Sequence, residues 1–187
     1  MPDQRLRQLL QDVYDTHVAF HKEIDKGQRW VEKGKERTEI VVARDRFNEA
    51  LHHLFVAKLT PLRNSCLNDV GSSIDSVIDF LEIDIPAFRC GYEKEWYLNK
   101  LKSLFLNRDQ QDRLRTIALD LVSKSHYRRE FQDWCRLMIV HADQPFLARL
   151  QELSASDEHW VQQTAKRMLD TIANNRRDLS HPFSASL

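Results

Sequence analysis

Glycine and proline are scarce in this 187-residue chain, at 4 and 5 residues, where average usage would give about 13 and 9. Tight turns draw on both, so a turn-dense β-sandwich or barrel is excluded, and little material is left for a glycine-rich phosphate loop. Cysteine is also rare. Cys66, Cys90 and Cys135 are odd in number, lack CxxC spacing and lie in apolar surroundings, which reads as packed, reduced thiols of a cytoplasmic protein and not as a disulfide framework or zinc ribbon. Long apolar runs are missing: Ile40 to Ala43 and Leu137 to Val140 span only four residues, against the roughly 18 of a membrane helix. The opening residues, Met1 to Arg7, turn amphipathic at once without an apolar h-region, so neither a secretory signal nor a membrane partner is expected. Net charge is absent as well. The 28 Lys and Arg balance 28 Asp and Glu, which removes the global basic field that steers chains onto nucleic acid, so any such contact needs a local patch.

What is present is helical periodicity. Leu6, Leu10, Val13, His17, Phe20 and Ile24 follow the 4-3 spacing of a heptad seam and predict one long helix from Asp3 to Lys26. After a polar stretch around Gly27 and Gly34, Ile40, Ala43, Phe47, Ala50, Leu54 and Ala57 repeat that spacing. Together they predict an antiparallel hairpin of coiled-coil character. Val41, Val42, Val56 and Leu59 lie off the second seam and suggest additional neighbours for that helix. Thr60-Pro61 reads as an N-cap and first helical proline that restart a short helix ending near Asp69. Gly71-Ser72-Ser73 reads as the cap of another, Ile74 to Glu82, and Ile83-Asp84-Ile85-Pro86 as extended, because proline disfavours helix in the residue before it.

Beyond that point a train of five helices is expected. Tyr97, Leu101, Leu104 and Phe105 mark the first. Leu114, Ile117, Ala118, Leu121 and Val122 mark the second, behind a cap formed by Asn107 and Gln110. Tyr127, Phe131, Trp134, Cys135 and Met138 mark the third. Asp143-Gln144-Pro145 opens the fourth, with Phe146, Leu150 and Leu153. Ser156 opens the fifth, with Val161, Ala165, Met168, Leu169 and Ile172. The expected architecture is all-α: an N-terminal helical hairpin with short helices over 1–83, packed on a stack of α-hairpins over 84–175, and a flexible tail over 176–187, with one continuous domain as the alternative division.

Successive helix pairs in this train recur at about 35 residues, a period of α-hairpin repeats. The last helix, Asp157-Glu158-His159-Trp160-Val161 through Ala165 to Leu169, resembles the second helix of a HEAT-type repeat, in which a capping acid precedes valine and an Ala-x-x-x-Leu face. The resemblance, to the HEAT and armadillo class, covers residues 88–175. It implies a non-catalytic scaffold that binds another protein along the grooves between hairpins. Tyr92, Trp96, Arg128, Trp134 and Trp160 are the aromatic and arginine side chains of the type that anchors such contacts. Tryptophan near a helix start also serves as packing between hairpins.

Two other chemistries are legible. Residues 89–178 hold 16 Lys and Arg against 13 Asp and Glu. Arg128, Arg129, Arg136, Arg176 and Arg177 could therefore meet nucleic-acid phosphates, although Arg129, Asp133 and Arg136 also share a face as a salt-bridge ladder. His17-x-x-x-His21 places two imidazoles on one helical face, as metal sites in bundles require. Glu49, His52 and His53 turn away from the facing seam, so Asp75, Asp79 or His141 would have to complete such a site. The paired acids Asp12/Asp15 and Asp75/Asp79 read as solvated helix faces. No catalytic motif and no cofactor signature occurs. The expected partner is a protein, a second copy of the chain included through the N-terminal seam.

Overall fold

The computed structural model describes residues 3–28, 38–68, 70–83, 85, 90–124 and 129–179, with backbone alone at 27, 28, 67, 68, 70–72 and 176–179. Its elements are all helical: α1 (Gln4–Gln28), α2 (Thr38–Leu54), a π-helical turn (Phe55–Leu59), α3 (Thr60–Asn68), α4 (Val70–Glu82), α5 (Cys90–Leu101), α6 (Arg108–Ser123), α7 (Phe131–His141), α8 (Gln144–Ser154) and α9 (His159–Leu179). The chain divides into two compact units, Met1–Glu93 and Lys94–Leu187, the division falling inside α5. No described helix is long and apolar enough to cross a membrane.

In the first unit α1 packs along α2. Of the expected seam, Leu6, Leu10 and Val13 are buried on one side and Phe47 and Leu54 on the other, while His17, Phe20, Ile24, Ile40, Ala43 and Ala50 are half-buried and Ala57 is exposed. Asp3 starts α1: its Oδ1 accepts the backbone N–H groups of Arg5 at 2.9 Å and Leu6 at 3.2 Å. Its Oδ2 is paired with Lys58 of the π-helical turn, and this bond, ahead of the cap hydrogen bonds, holds the Asp3 carboxyl below its ordinary range.

Thr60-Pro61 behaves differently from the expected cap and restart. Thr60 has φ −66° and ψ −47°, fully helical, and its N–H donates to the Phe55 carbonyl five residues back. Pro61 lacks an N–H, and its ring crowds the carbonyl four residues upstream. Widening the preceding turn to the π spacing lets the helix run through the proline without breaking. Gly71-Ser72-Ser73 likewise lies inside α4, which begins at Val70, and Ser73 Oγ donates to Ser65 Oγ of α3 at 2.7 Å. Leu59 is buried as an extra contact of this helix, but Val42 and Val56 are exposed.

In the second unit α6 packs on α7, α8 and α9, and α9 on α7 and α8. α6 therefore meets both members of the α8/α9 pair, and α7 meets α9. Leu114, Leu137, Leu150 and Met168 are withdrawn from water in this core, each contributing about 1.5–3 kcal/mol relative to an exposed position. α5 ends at Leu101, so Leu104 and Phe105, expected on its apolar face, fall in the connection to α6.

Asn107 and Gln110 form the predicted capping box: Asn107 Oδ1 accepts the Gln110 N–H at 2.9 Å and Gln110 Oε1 accepts the Asn107 N–H at 3.1 Å. Asn107→Ala should lower stability by about 1 kcal/mol, within the 0.5–2 kcal/mol of lost N-caps. Urea unfolding checks this, and an unchanged midpoint would show that α6 starts without its cap. Asp143 caps α8 in the same manner, accepting the Phe146 N–H at 2.9 Å, with Pro145 in the first turn.

Candidate functional site

The first turn of α9 carries an exposed tryptophan. Ser156 Oγ accepts the Glu158 N–H at 3.2 Å, the Gln162 N–H donates to the Glu158 carbonyl at 2.9 Å, and Thr164 Oγ1 donates to the Trp160 carbonyl at 2.7 Å. Val161, Ala165, Met168 and Ile172 form the buried stripe of the helix. Trp160 precedes that stripe by one residue, which turns it about 100° away, and it is 67% exposed. The His159 ring meets it edge-on at 5.8 Å. An indole held in water on a well-formed helical turn is the type of anchor that buried interface pockets accept.

The other expected anchors divide. Trp134 is 2% exposed and serves the core of the second unit. Trp96 is half-buried, its ring edge-on to Tyr97 at 5.0 Å with Lys100 Nζ 5.4 Å above it. Tyr92, on α5 but in the first unit, is 56% exposed. Arg128 lies outside the described residues. Phe105, missed as a surface residue, is 95% exposed. The signal was present, since the Asn107 cap fixes the start of α6 and Leu106, which is buried, takes the inward place ahead of it.

Of the arginines considered for nucleic acid, Arg129 Nε donates to Glu95 Oε1 at 2.6 Å and Arg136 Nη1 to Asp133 Oδ1 at 3.1 Å. The expected ladder therefore pairs Arg129 with α5 and not with Asp133, whose Oδ1 also accepts from Asn99 at 3.3 Å. The side chains of Arg176 and Arg177 lie outside the described residues.

A polar knot that the sequence did not announce, buried at Arg115 and His141 and open to water at Asp112 and Asp143, joins α6, α7 and α8. Arg115 Nη1 donates to the His141 carbonyl at 2.8 Å, its Nε pairs with Asp143 Oδ2 at 3.2 Å, and its Nη2 pairs with Asp112. His141 is 7% exposed, and its Nε2 has no hydrogen-bond partner among the described residues. Burial, then the Arg115 charge, holds this imidazole below its ordinary 6.5, against a hydrogen bond to the Leu101 backbone that raises it. The unfolded chain thus takes up the proton first as pH falls. The contribution of His141 to stability is complete above about pH 6.5 and declines as pH drops from there toward the lowered folded value. Urea midpoints between pH 7.5 and 5 should fall, and His141→Gln should flatten that slope; an equal slope in the variant would place the sensitivity elsewhere.

The first unit holds the histidine pair. His17 and His21 stand with Nε2 atoms 3.1 Å apart, rings edge-on at 4.5 Å, and His17 lies 5.1 Å from the Phe47 ring. Burial, then the His21 charge, lowers the His17 pKa from its ordinary 6.5. Glu49, His52 and His53 are exposed, and no group of three or more His, Cys, Asp or Glu fit to hold a metal occurs among the described residues. An open groove of about 660 Å³ beside α1 and α2 mixes Lys22, Lys26 and Arg46 with Glu23 and Glu39, so its charges do not converge on one ligand type. The three cysteines are buried. Burial pushes the Cys135 thiol up to about 12 and raises Cys66 as well, the opposite of nucleophile activation. Compared with protein-family models, curated proteins and solved structures, the chain matches none.

Proposed function

We propose that the protein is a non-catalytic protein-interaction module, a scaffold of stacked HEAT-like α-hairpins whose second unit seats another protein against Trp160. The observation that carries this reading is a large indole, 67% exposed, on a helical turn fixed by three hydrogen bonds. Leaving that ring in water forgoes about 2 kcal/mol of apolar burial, which a partner with a matching apolar pocket recovers. The packing of α6 on α8 and of α7 on α9 supports the repeat reading. Self-association through the N-terminal seam has less support, because α1 and α2 cover each other's seam. Nucleic-acid binding also has less, because Arg129 and Arg136 are engaged with carboxylates of the same chain. The test is affinity purification of the full chain with and without nuclease. A protein recovered in stoichiometric amount after nuclease treatment, and lost from Trp160→Ala, is the expected result. Recovery that depends on nucleic acid, or that is unchanged in Trp160→Ala, would overturn the reading.

A further inference from the structure

The histidine pair on α1 lies in the other unit from Trp160, and its geometry makes a case independent of the interaction reading. An i, i+4 spacing brings two side chains over each other on a helix, but it does not by itself converge their ring nitrogens. Here the two Nε2 atoms do converge, at 3.1 Å. Two nitrogens bound to one zinc ion at about 2.0–2.1 Å stand about 3.3 Å apart in a tetrahedron and about 2.9 Å apart at neighbouring octahedral positions. The observed separation falls between these values. On one side the pair is backed by aromatic rings: Phe47 lies 5.1 Å from His17, and Phe20 lies 5.8 Å from His21. On the other side His21 is exposed, which leaves room for water ligands.

We infer that His17 and His21 form a two-histidine chelate for a first-row divalent ion that favours imidazole, zinc or nickel, with water completing its coordination. In the metal-free chain one ring donates its Nε2–H to the other's Nε2. From the state with both rings neutral, the donor ring carries its proton on Nδ1 instead on binding, so both Nε2 lone pairs meet the ion with no proton released; a protonated ring would give its proton to water. With two protein ligands and no third among the described residues, the site is an open, exchangeable one and not a structural centre, because structural zinc takes four protein ligands. His52 and His53 supply the comparison. They are adjacent in sequence and exposed, with ring centroids 6.4 Å apart, and they lack the shared helical face.

Calorimetric titration of the untagged full chain with zinc, repeated with nickel, tests this. One ion per chain is expected, with the imidazole signals of His17 and His21 shifting in step by NMR. His21→Ala should weaken binding roughly tenfold or more, since loss even of a group that only supports a ligand costs about 10–100-fold. His52→Ala with His53→Ala should leave it unchanged. His21 is exposed on α1, so its variant keeps the helix, and circular dichroism confirms that. Absence of saturable binding of either ion, or equal affinity in His21→Ala, would overturn the inference. Neither outcome bears on Trp160.

Discussion

Trp134→Ala is expected to destabilise the protein by about 3–5 kcal/mol, the range for removing a large aromatic side chain from a packed core. Trp134 is 2% exposed on α7, beside the buried Phe131, Cys135, Leu137 and Met138, and α7 packs on both α6 and α9. Truncation opens a cavity lined by helices fixed elsewhere, at the Asn107 and Asp143 caps and through the Arg115 knot, so the walls have little freedom to collapse. The losses are the transfer term of the indole and the contacts of the surrounding side chains. Urea unfolding followed by far-ultraviolet circular dichroism measures the effect. A loss under about 1 kcal/mol would mean that this ring is not part of the core.

Trp160→Ala is expected to do the reverse. Stability should change by no more than about 0.5 kcal/mol, as for surface substitutions away from special features, because the ring is mostly in water and the turn beneath it is held by Ser156 and Thr164. Affinity for the protein partner should fall by about 2 kcal/mol or more, roughly 30-fold, the mark of a central interface anchor. Most of that loss should appear in the dissociation rate. The two tryptophans have the same chemistry and similar places near helix starts, so opposite outcomes from the same substitution separate packing from recognition. A full-strength interaction in Trp160→Ala would leave the exposed indole without a role in binding.

The helices themselves were legible because apolar spacing and caps are local properties. The α1/α2 seam, the Asn107 box, the Asp143 cap and the Val161 to Ile172 stripe each follow from residues within a few turns of one another. Features set by distant partners were not. Nothing near Arg115 in sequence indicates that its guanidinium meets the His141 carbonyl and Asp143. Trp134 belongs to the apolar stripe of its helix and Trp160 falls one residue before its own, so spacing separates the two, whereas closeness to a helix start alone puts both among the anchors. Thr60-Pro61 misled for a different reason: a proline that usually marks a first turn is accommodated here by a π-helical turn, and that option leaves no trace in composition. Periodicity alone extends a helix over Leu104 and Phe105, but the Asn107 cap two residues on starts the next one, and of these two competing local signals the cap is the stronger. The histidine spacing was plain in the sequence, whereas the convergence of the two Nε2 atoms is a rotamer property visible only in three dimensions.

The most direct test of the interaction reading is photo-crosslinking from the first turns of α9 in living cells. A photo-reactive residue in place of Gln163, which is exposed and three residues from Trp160, samples the surface around the indole while leaving it intact. The account predicts one discrete protein adduct on irradiation, resistant to nuclease and absent when Trp160→Ala is combined with the probe. A lack of any adduct above background, or the same adduct with Trp160 removed, would contradict it.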